Sequence, residues 1–436
     1  MKHSGLILLG VTTMLAGIAP GFDLAGNWHV SGIGIPRGLA QNRDVTGVVI
    51  GLSGNHTFDS NDGTLSIDAL GNITGFVGGV ITGSATAAAD GVVSMTLNTP
   101  DPVALTLHMN TTSDLMISSH TEADFSELLV LAKAPDDALL ADAAGTWWVV
   151  TLETPASVDA QFNADGKMIG FAGPTASFMS RSTLVIDPDG NYNYNGGEDT
   201  GVVGVAADGT MTLTSSDPLV AVMQQHMSVL KDVMIGAMAE SGQRNLTIMV
   251  KTSTINNWEA TGHWAFDRMS VPATLPLTRN TDGFVTNIDG FNFLDQENGA
   301  INFTLDGKLS GMMEGPFAGY STGSSNGLIQ VFHGEPAPFV PAVSIGGDFL
   351  IGVDGGGSAN ELSLLIGLRS VRPLEIGVLA GTPLTILWVP GPGRTLQDAT
   401  NVMDWTTVIG SGSMSSYVVN PATDGSHHFY RIVESN

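Results

Sequence analysis

Gly26-Asn27-Trp28, Gly145-Thr146-Trp147 and Gly262-His263-Trp264 decide how this chain is organised. The three Gly-x-Trp triplets stand 119 and 117 residues apart. Three such matches prove little alone, so the residues between them must keep the same register. They do. Counting 45 residues on from each first glycine gives Gly71, Gly190 and Gly307. Offsets of 65, 64 and 65 give Gly91, Gly209 and Gly327, each preceded by Asp or Asn. Offsets of 107, 106 and 107 give Lys133, Lys251 and Arg369, each following an apolar run. A fixed period of this length is the signature of tandem repeats.

Each unit reads as β structure. Asp-Gly and Asn-Gly between alternating segments mark tight hairpins, because their turn residues adopt positive φ. Thr183-Leu184-Val185-Ile186, Asp189-Gly190 and Asn191-Tyr192-Asn193-Tyr194 make one hairpin. Val202 to Val205, Asp208-Gly209 and Thr210 to Leu213 make the next. Leu246, Ile248 and Val250 alternate with Asn245, Thr247 and Met249, the pattern of a half-buried strand. Six to eight antiparallel strands per unit must close on themselves or pair with another sheet to hide their edges. Because each unit carries its own Trp, turns and closing strand, a fragment from Asp142 to Ser253 is expected to fold alone. In the third unit Glu335-Pro336-Ala337-Pro338-Phe339-Val340-Pro341 replaces the Asp-Pro of the others and suits only a loop or an edge.

A Gly-x-Trp opening the first strand, with Lys or Arg on the last strand about a hundred residues later, resembles the calycin pattern of lipocalins and avidins. The resemblance implies an antiparallel barrel in which the basic side chain stacks on the Trp where the barrel closes. It would pair Trp28 with Lys133, Trp147 with Lys251 and Trp264 with Arg369. Lys251 has the opposite parity to Leu246, Ile248 and Val250, as Arg369 has to Leu362, Leu364, Ile366 and Leu368. The basic residues therefore cannot share the face of those apolar runs without a bulge.

From Pro373 the pattern changes. Leu384-Thr385-Ile386-Leu387-Trp388, Thr395-Leu396-Gln397, Thr400-Asn401-Val402-Met403-Asp404-Trp405 and His428-Phe429-Tyr430-Arg431-Ile432 follow one another. These motifs resemble the small fibronectin-III-like module found at the C-termini of many exported bacterial proteins. It implies multi-domain export architecture and no chemistry. The expected fold is all-β: three tandem antiparallel β-barrel-like or β-sandwich repeats followed by a small C-terminal β-sandwich module. The expected layout is a signal peptide over 1–21, repeats over 22–137, 138–255 and 256–372, and the module over 373–436.

Composition narrows the role. Forty-two acidic residues against 16 basic ones give a formal charge of −26, which disfavours nucleic acid and anionic membranes as partners. Lys2-His3 followed by the apolar run Leu6–Ile18 reads as a secretory signal too short to remain as a membrane anchor. There is no cysteine, so neither disulfides nor thiolate metal sites are available. The location expected is secreted or cell-surface, by bacterial export.

No catalytic or metal constellation stands out, and no cofactor is expected. Gly323-Ser324-Ser325-Asn326-Gly327 matches the nucleophile-elbow string, but a strand-like run rather than a helix follows it, so it reads as a turn. Asp187, Asp189, Asn191 and Glu198 match a calcium-loop template in which Tyr192 replaces the required glycine, which favours a solvated hairpin. His108 and His226 occupy almost the same repeat position, and equivalent positions in separate barrels are expected to lie far apart. Glu122, Asp124, Glu127, Glu198 and Asp199 leave a secreted hydrolase as a minor alternative. The leading expectation is an exported, non-enzymatic repeat protein with a structural, adhesive, cell-surface or matrix role. The alternative is a small-molecule or glycan binder using barrel mouths lined by Trp28, Trp147, Trp148 and Trp264. The partners left open are a glycan, a small molecule or a surface protein.

Overall fold

The computed structural model describes residues 22–371 except 38, 89, 99–101, 122–124, 241, 253–259, 290–294, 305–306, 313–315, 324, 333–338 and 355–359. Beyond them it describes 377–379, 385–387, 394–399, 406–407, 416–418 and 429–434. The signal-peptide region 1–21, Glu122, Asp124, Ser324, Trp405, His427 and His428 lie outside the described residues.

Repeat 1 comprises β1 (Gly26–Pro36), β2 (Ala40–Arg43), β3 (Val49–Ser53), β4 (Asp59–Ile67) and β5 (Asn72–Val77). It continues with β6 (Val80–Ala87), β7 (Val92–Asn98), β8 (Val103–Met109), β9 (Leu115–Thr121) and β10 (Phe125–Lys133). After one helical turn, α1 (Leu140–Ala143), repeat 2 begins with β11 (Gly145–Pro155), β12 (Ala160–Phe162), β13 (Met168–Phe171), β14 (Phe178–Ile186) and β15 (Asn191–Tyr194). It ends with β16 (Asp199–Val205), β17 (Thr210–Ser215), β18 (Met223–Met227), β19 (Val233–Glu240) and β20 (Gln243–Lys251). Repeat 3 opens with β21 (Gly262–Pro272), β22 (Leu277–Arg279), β23 (Val285–Ile288), β24 (Asp295–Phe303) and β25 (Lys308–Met312). Its remaining strands are β26 (Pro316–Gly323), β27 (Ile329–Phe332), β28 (Ala342–Val343), β29 (Phe349–Asp354) and β30 (Glu361–Val371). Strands ten apart in number are therefore equivalent.

Eight strands of each repeat make one antiparallel sheet in which the first strand lies between the fourth and the tenth. In repeats 1 and 2 that sheet is a closed barrel. In repeat 3 the ladder has β27 and β28 at its ends, and bridges Leu328–Ala342 and Val331–Phe339 span the seam. Proline explains the difference. Pro341 has no N–H to give a ladder, yet its carbonyl accepts the Ile329 N–H at 3.0 Å. Of the segment expected to be a loop or an edge, Phe339 and Pro341 thus lie at the seam, while residues 335–338 lie outside the described residues.

The turns follow their chemistry. Asp187 Oδ1 accepts the backbone N–H groups of Asp189 and Asn191 at 2.9 and 2.8 Å, and Asp68 does the same for Leu70 and Asn72. These bonds occupy the carboxylate that a calcium loop would need. Gly71, Gly190 and Gly307 follow at φ of +82°, +86° and +79°.

The first strand of each repeat and the tenth strand beside it are buried on both faces over most of their length, and this departs most from the sequence expectation. Trp28, Val30, Leu129 and Leu131 point into barrel 1, while Ile33, Ile35, Leu128, Val130 and Ala132 point outward into a second core. Val150, Leu152, Ile235, Leu246, Ile248 and Val250 of repeat 2 enter that same outer core, as do Phe349, Ile351, Leu364, Ile366 and Leu368 of repeat 3. The run Leu246, Ile248, Val250 therefore faces the other barrels, and Met249 on the opposite parity faces the interior. Packing is cyclic. β1 and β4 lie on β19 and β20, β11 and β14 lie on β29 and β30, and β21 and β24 lie on β9. Each repeat offers its first strands to the last strands of the next, and the third closes the ring on the first.

The short hairpins β2–β3, β12–β13 and β22–β23 gather at one end of this pseudo-threefold arrangement. Leu39, Val158 and Leu275, each 13 residues after its repeat's first glycine, are buried there with Val49, Met168 and Val285, each 23 residues after it. Backbone bonds stitch neighbours together: Phe58 N to Ala156 O at 2.9 Å, Val158 N to His56 O at 2.9 Å, and the equivalent Ser177 N to Ala273 O at 3.0 Å.

Of the C-terminal segment, β31 (Gly377–Leu379), β32 (Thr385–Leu387) and β35 (Ser416–Val418) form one antiparallel sheet. A second contains β33 (Arg394–Ala399), β34 (Thr406–Thr407) and β36 (Phe429–Glu434).

The shared core reverses the outcome expected for an isolated repeat. A fragment of residues 142–253 would expose Val150, Leu152, Val233, Ile235, Leu246, Ile248 and Val250 to water. Burying a single such side chain contributes about 1.5–3 kcal/mol, so losing the set exceeds the few kcal/mol by which domains are stable. The fragment should bind an apolar dye and show no cooperative calorimetric transition, whereas the full chain should show one.

Candidate functional site

The Gly-x-Trp pattern builds a seal at one end of each barrel. Trp28, Trp147 and Trp264 point inward from the first strand and are 0% exposed. Each indole Nε1–H donates to a carbonyl four residues upstream: Leu24 at 2.9 Å, Ala143 at 2.8 Å and Ala260 at 2.8 Å. Cross-strand register sets Trp28 opposite Lys133, Trp147 opposite Lys251 and Trp264 opposite Arg369. The Lys133 and Lys251 Nζ atoms lie 5.7 and 5.3 Å from the indole centroids, and the Arg369 guanidinium carbon lies 5.0 Å from its own. These distances are within cation–π range.

The same geometry explains the glycine. At Gly26 a Cβ would sit 2.7 Å from the Lys133 Cε, and at Gly145 it would sit 2.9 Å from that of Lys251. The basic stem crosses the barrel end where only glycine leaves room. Lys251 Nζ donates to Asp142 O at 2.8 Å, and burial holds its pKa below the usual lysine range. Lys133 Nζ reaches Asp23 Oδ2 at 3.4 Å, and Arg369 Nε lies 3.9 Å from Asp348 Oδ1.

Trp148 is separate from these seals. It lies half-buried on the outer face of β11, donates to Asn326 O of repeat 3 at 2.9 Å, and carries the Arg181 guanidinium at 5.6 Å.

The barrels differ inside. Barrel 1 holds a partly open cavity of about 150 Å³ lined by Val30, Leu65, Ile81, Met95, Leu105 and Leu129. Asn61 and Glu127 also line it, with the Asn61 amide donating to the Glu127 carboxylate. A void of this size suits a benzene-sized apolar molecule and falls below the roughly 300–1,000 Å³ of drug-sized sites. In barrel 2, Tyr192, Met211, Met227, Met234 and Met249 are buried together in the interior. Tyr192 Oη donates to Asp199 Oδ2 at 2.7 Å; burial and that carboxylate push its pKa up to about 12.

Of the acidic residues proposed for hydrolysis, Glu122 and Asp124 lie outside the described residues, and Glu127 accepts from Asn61. Glu198 accepts from Asn195 at 2.7 Å, while Asp199 is held by Tyr192 and Ser215. Gly323–Gly327 connects the antiparallel strands β26 and β27, whereas an elbow requires a strand followed by a helix. Among the described residues, no group of three or more His, Asp or Glu has metal-holding geometry.

Two polar features escaped the sequence reading. Asp114, Asp232 and Asp348, each 1–4% exposed, end equivalent turns 88, 87 and 86 residues after their repeat's first glycine. They meet where the repeats join: Thr111 Oγ1 donates to Asp348 at 2.9 Å, and Gly346 N donates to Asp232 at 3.1 Å. Burial, then the Asp232 charge, raises the Asp114 pKa to about 6, and burial raises that of Asp232. Their register was visible, but their convergence needed the ring. The second feature is a buried histidine pair, His29 and His226, from different repeats.

Fold and site together define an all-β three-barrel ring with sealed barrel ends. No family model matches the chain, and no curated protein matches it. Solved structures similar to it include a mutant of transferrin binding protein B from Haemophilus parasuis, at 8% identity and TM-score 0.25, covering 80% of this chain and 76% of that one. Intact transferrin binding protein B with both lobes is similar at 10% identity and TM-score 0.20, covering 80% and 77%. The protein from serogroup B Neisseria meningitidis is similar at 8% identity and TM-score 0.21, covering 79% and 76%. At these scores the likenesses carry no argument about this chain.

The seals give a direct expectation. In urea titrations of the full chain, Trp147→Ala should cost about 3–5 kcal/mol through loss of a large core ring. Lys251→Met should cost less, about 1–2 kcal/mol, because the stem packing survives and only the cation–π attraction and the hydrogen bond to Asp142 O are lost. Equal costs would mean that the charge, and not the ring, holds the barrel end.

Proposed function

We propose that this is an exported, non-enzymatic repeat protein that serves as a rigid scaffold at the cell surface or in the extracellular matrix and adheres to a surface-protein partner. The observation that carries this reading is the common apolar core, which uses the outer faces of all three barrels to hold the repeats in one body. With one end of each barrel sealed by its Trp and basic residue, loops and the remaining outer sheet faces are the surfaces offered for contact. Leu219, Val220 and Val222 in the β17–β18 loop expose apolar side chains, Leu219 at 92%, and exposed apolar groups of this kind suit protein contact. The acidic surface supports solubility outside the cell and disfavours nucleic acid.

A second reading rests on the barrel 1 cavity. Its apolar walls and the single Asn61–Glu127 pair suit a very small apolar ligand. This would make barrel 1 a minor binding module within the same scaffold.

Protease treatment of intact cells tests the main reading. The chain should be cleaved from outside the cell, and cells lacking it should attach less to a protein-coated surface or form a weaker matrix. A chain protected inside unbroken cells would overturn the proposal. So would unchanged attachment and matrix in its absence.

A further inference from the structure

The three seams of the ring use equivalent positions with different residues. Three residues after each repeat's first glycine stand His29, Trp148 and Ala265. Trp148 Nε1 donates to Asn326 O, the residue before Gly327. His29 Nε2 lies 2.8 Å from Asp208 O, the residue before Gly209. These contacts are the same contact in successive seams. A carbonyl only accepts, so His29 Nε2 must carry the hydrogen. His29 Nδ1 is then a bare acceptor, and it is buried without a hydrogen-bond partner.

His226, on β18, stacks on His29 with ring centroids 4.1 Å apart and planes 14° from parallel. The two rings are 3% and 5% exposed. Where the first seam has His226, the second has Ala342 at the start of β28. The second seam therefore joins Trp148 and Ala342, neither of which titrates, whereas the first joins two histidines.

We propose that the seam between barrels 1 and 2 is a proton-sensitive closure, opened by protonation of His29, while the seam between barrels 2 and 3, which has no histidine pair and holds the buried Asp232 against the Gly346 N–H, does not loosen as pH falls from 8 to 5. Protonation places a new N–H on Nδ1 where no acceptor waits, and a positive charge beside His226. The facing titratable groups are Asp62 on β4, Asp208 in the β16–β17 turn and His226 itself. His226 Nε2 is 3.1 Å from Asp62 Oδ2, and the other Asp62 oxygen accepts from Ser31 at 2.9 Å. β19 and β20 supply apolar Ile235, Ile248 and Val250 to the core behind the pair. Burial, then the His226 charge, outweighs the two carboxylates and holds His29 below its ordinary pKa.

The sign follows from linkage. An opened seam lets His29 take a proton near pH 6.5, whereas the closed seam takes one only at lower pH. The closed seam keeps its full advantage above about pH 6.5 and loses it as pH falls. Asp114, Asp232 and Asp267, all raised by burial, act in the opposite direction: the stability they contribute is present at low pH and lost as pH rises, through about 6 for Asp114 and Asp267. A global melting temperature mixes both, so the test must be local.

Backbone amides that bridge the seams are the local probes. Phe58 and Val158 donate across the first seam, and Ser177 donates across the second. Hydrogen exchange of the full chain, corrected for intrinsic rates, should accelerate at Phe58 and Val158 between pH 7.5 and pH 5. The expected factor is about tenfold for the first unit by which closure lowers the His29 pKa, with a ceiling of about 30-fold at pH 5. Ser177 should not accelerate. The double variant His29→Trp, His226→Ala, which installs the second seam's pair in the first, should abolish the acceleration. Should that variant fail to fold, His226→Gln keeps a donor for Asp62 while removing the neighbouring charge, and should reduce the response. Unchanged exchange at Phe58 and Val158, an equal response at Ser177, or a full response in the folded variants would overturn the proposal.

Discussion

Everything in this molecule depends on strands that bury both faces. An isolated antiparallel barrel needs one apolar face, which fills its interior, and a polar one, which meets water. Here the first, ninth and tenth strands of the repeats carry apolar side chains outward as well. Such a barrel cannot stand alone in water. It must present its outer face to another apolar surface, and the only others of the same shape are its sister repeats. Packing first strands onto last strands is a head-to-tail contact, and such contacts close when the rotation between units suits a ring. Three copies close it here.

The seals depend on the same alternation. Lys133, Lys251 and Arg369 share a parity with the interior residues Leu131, Met249 and Leu365. The apolar runs that seemed to exclude a Trp partner belong to the outer core. Barrel closure and ring closure thus draw on opposite faces of one strand.

Much of this was legible in the sequence. The Gly-x-Trp register, the Asp-Gly turns and the basic residue at the end of each last strand located repeats, hairpins and seals, because each is a local demand on one or two residues. What lay hidden were relations between repeats. Leu246, Ile248 and Val250 fit a half-buried strand, and only the neighbouring barrels show that Met249 is buried too. Asp114, Asp232 and Asp348 keep the register, but a shared position looked like a reason for distance until the ring brought them together. His226 was set aside on that ground, and its partner His29 belongs to another strand and another repeat. Asn61 could be matched with Glu127 only once β1 was known to lie between β4 and β10. The pseudo-symmetry also shows where the copies have diverged. Equivalent seam positions hold His29, Trp148 and Ala265, barrels 1 and 2 bury different side chains inside, and proline interrupts the third ladder. These differences are where the repeats can have acquired distinct roles.

The most direct test of the central claim is equilibrium urea unfolding of the full chain, followed by hydrogen exchange at β10, β20 and β30. One core shared by three barrels predicts that the slowest amides of all three strands lose protection at the same urea concentration, with the same dependence on denaturant. Three separate midpoints, one for each barrel, would contradict it and restore the picture of independent beads on a chain.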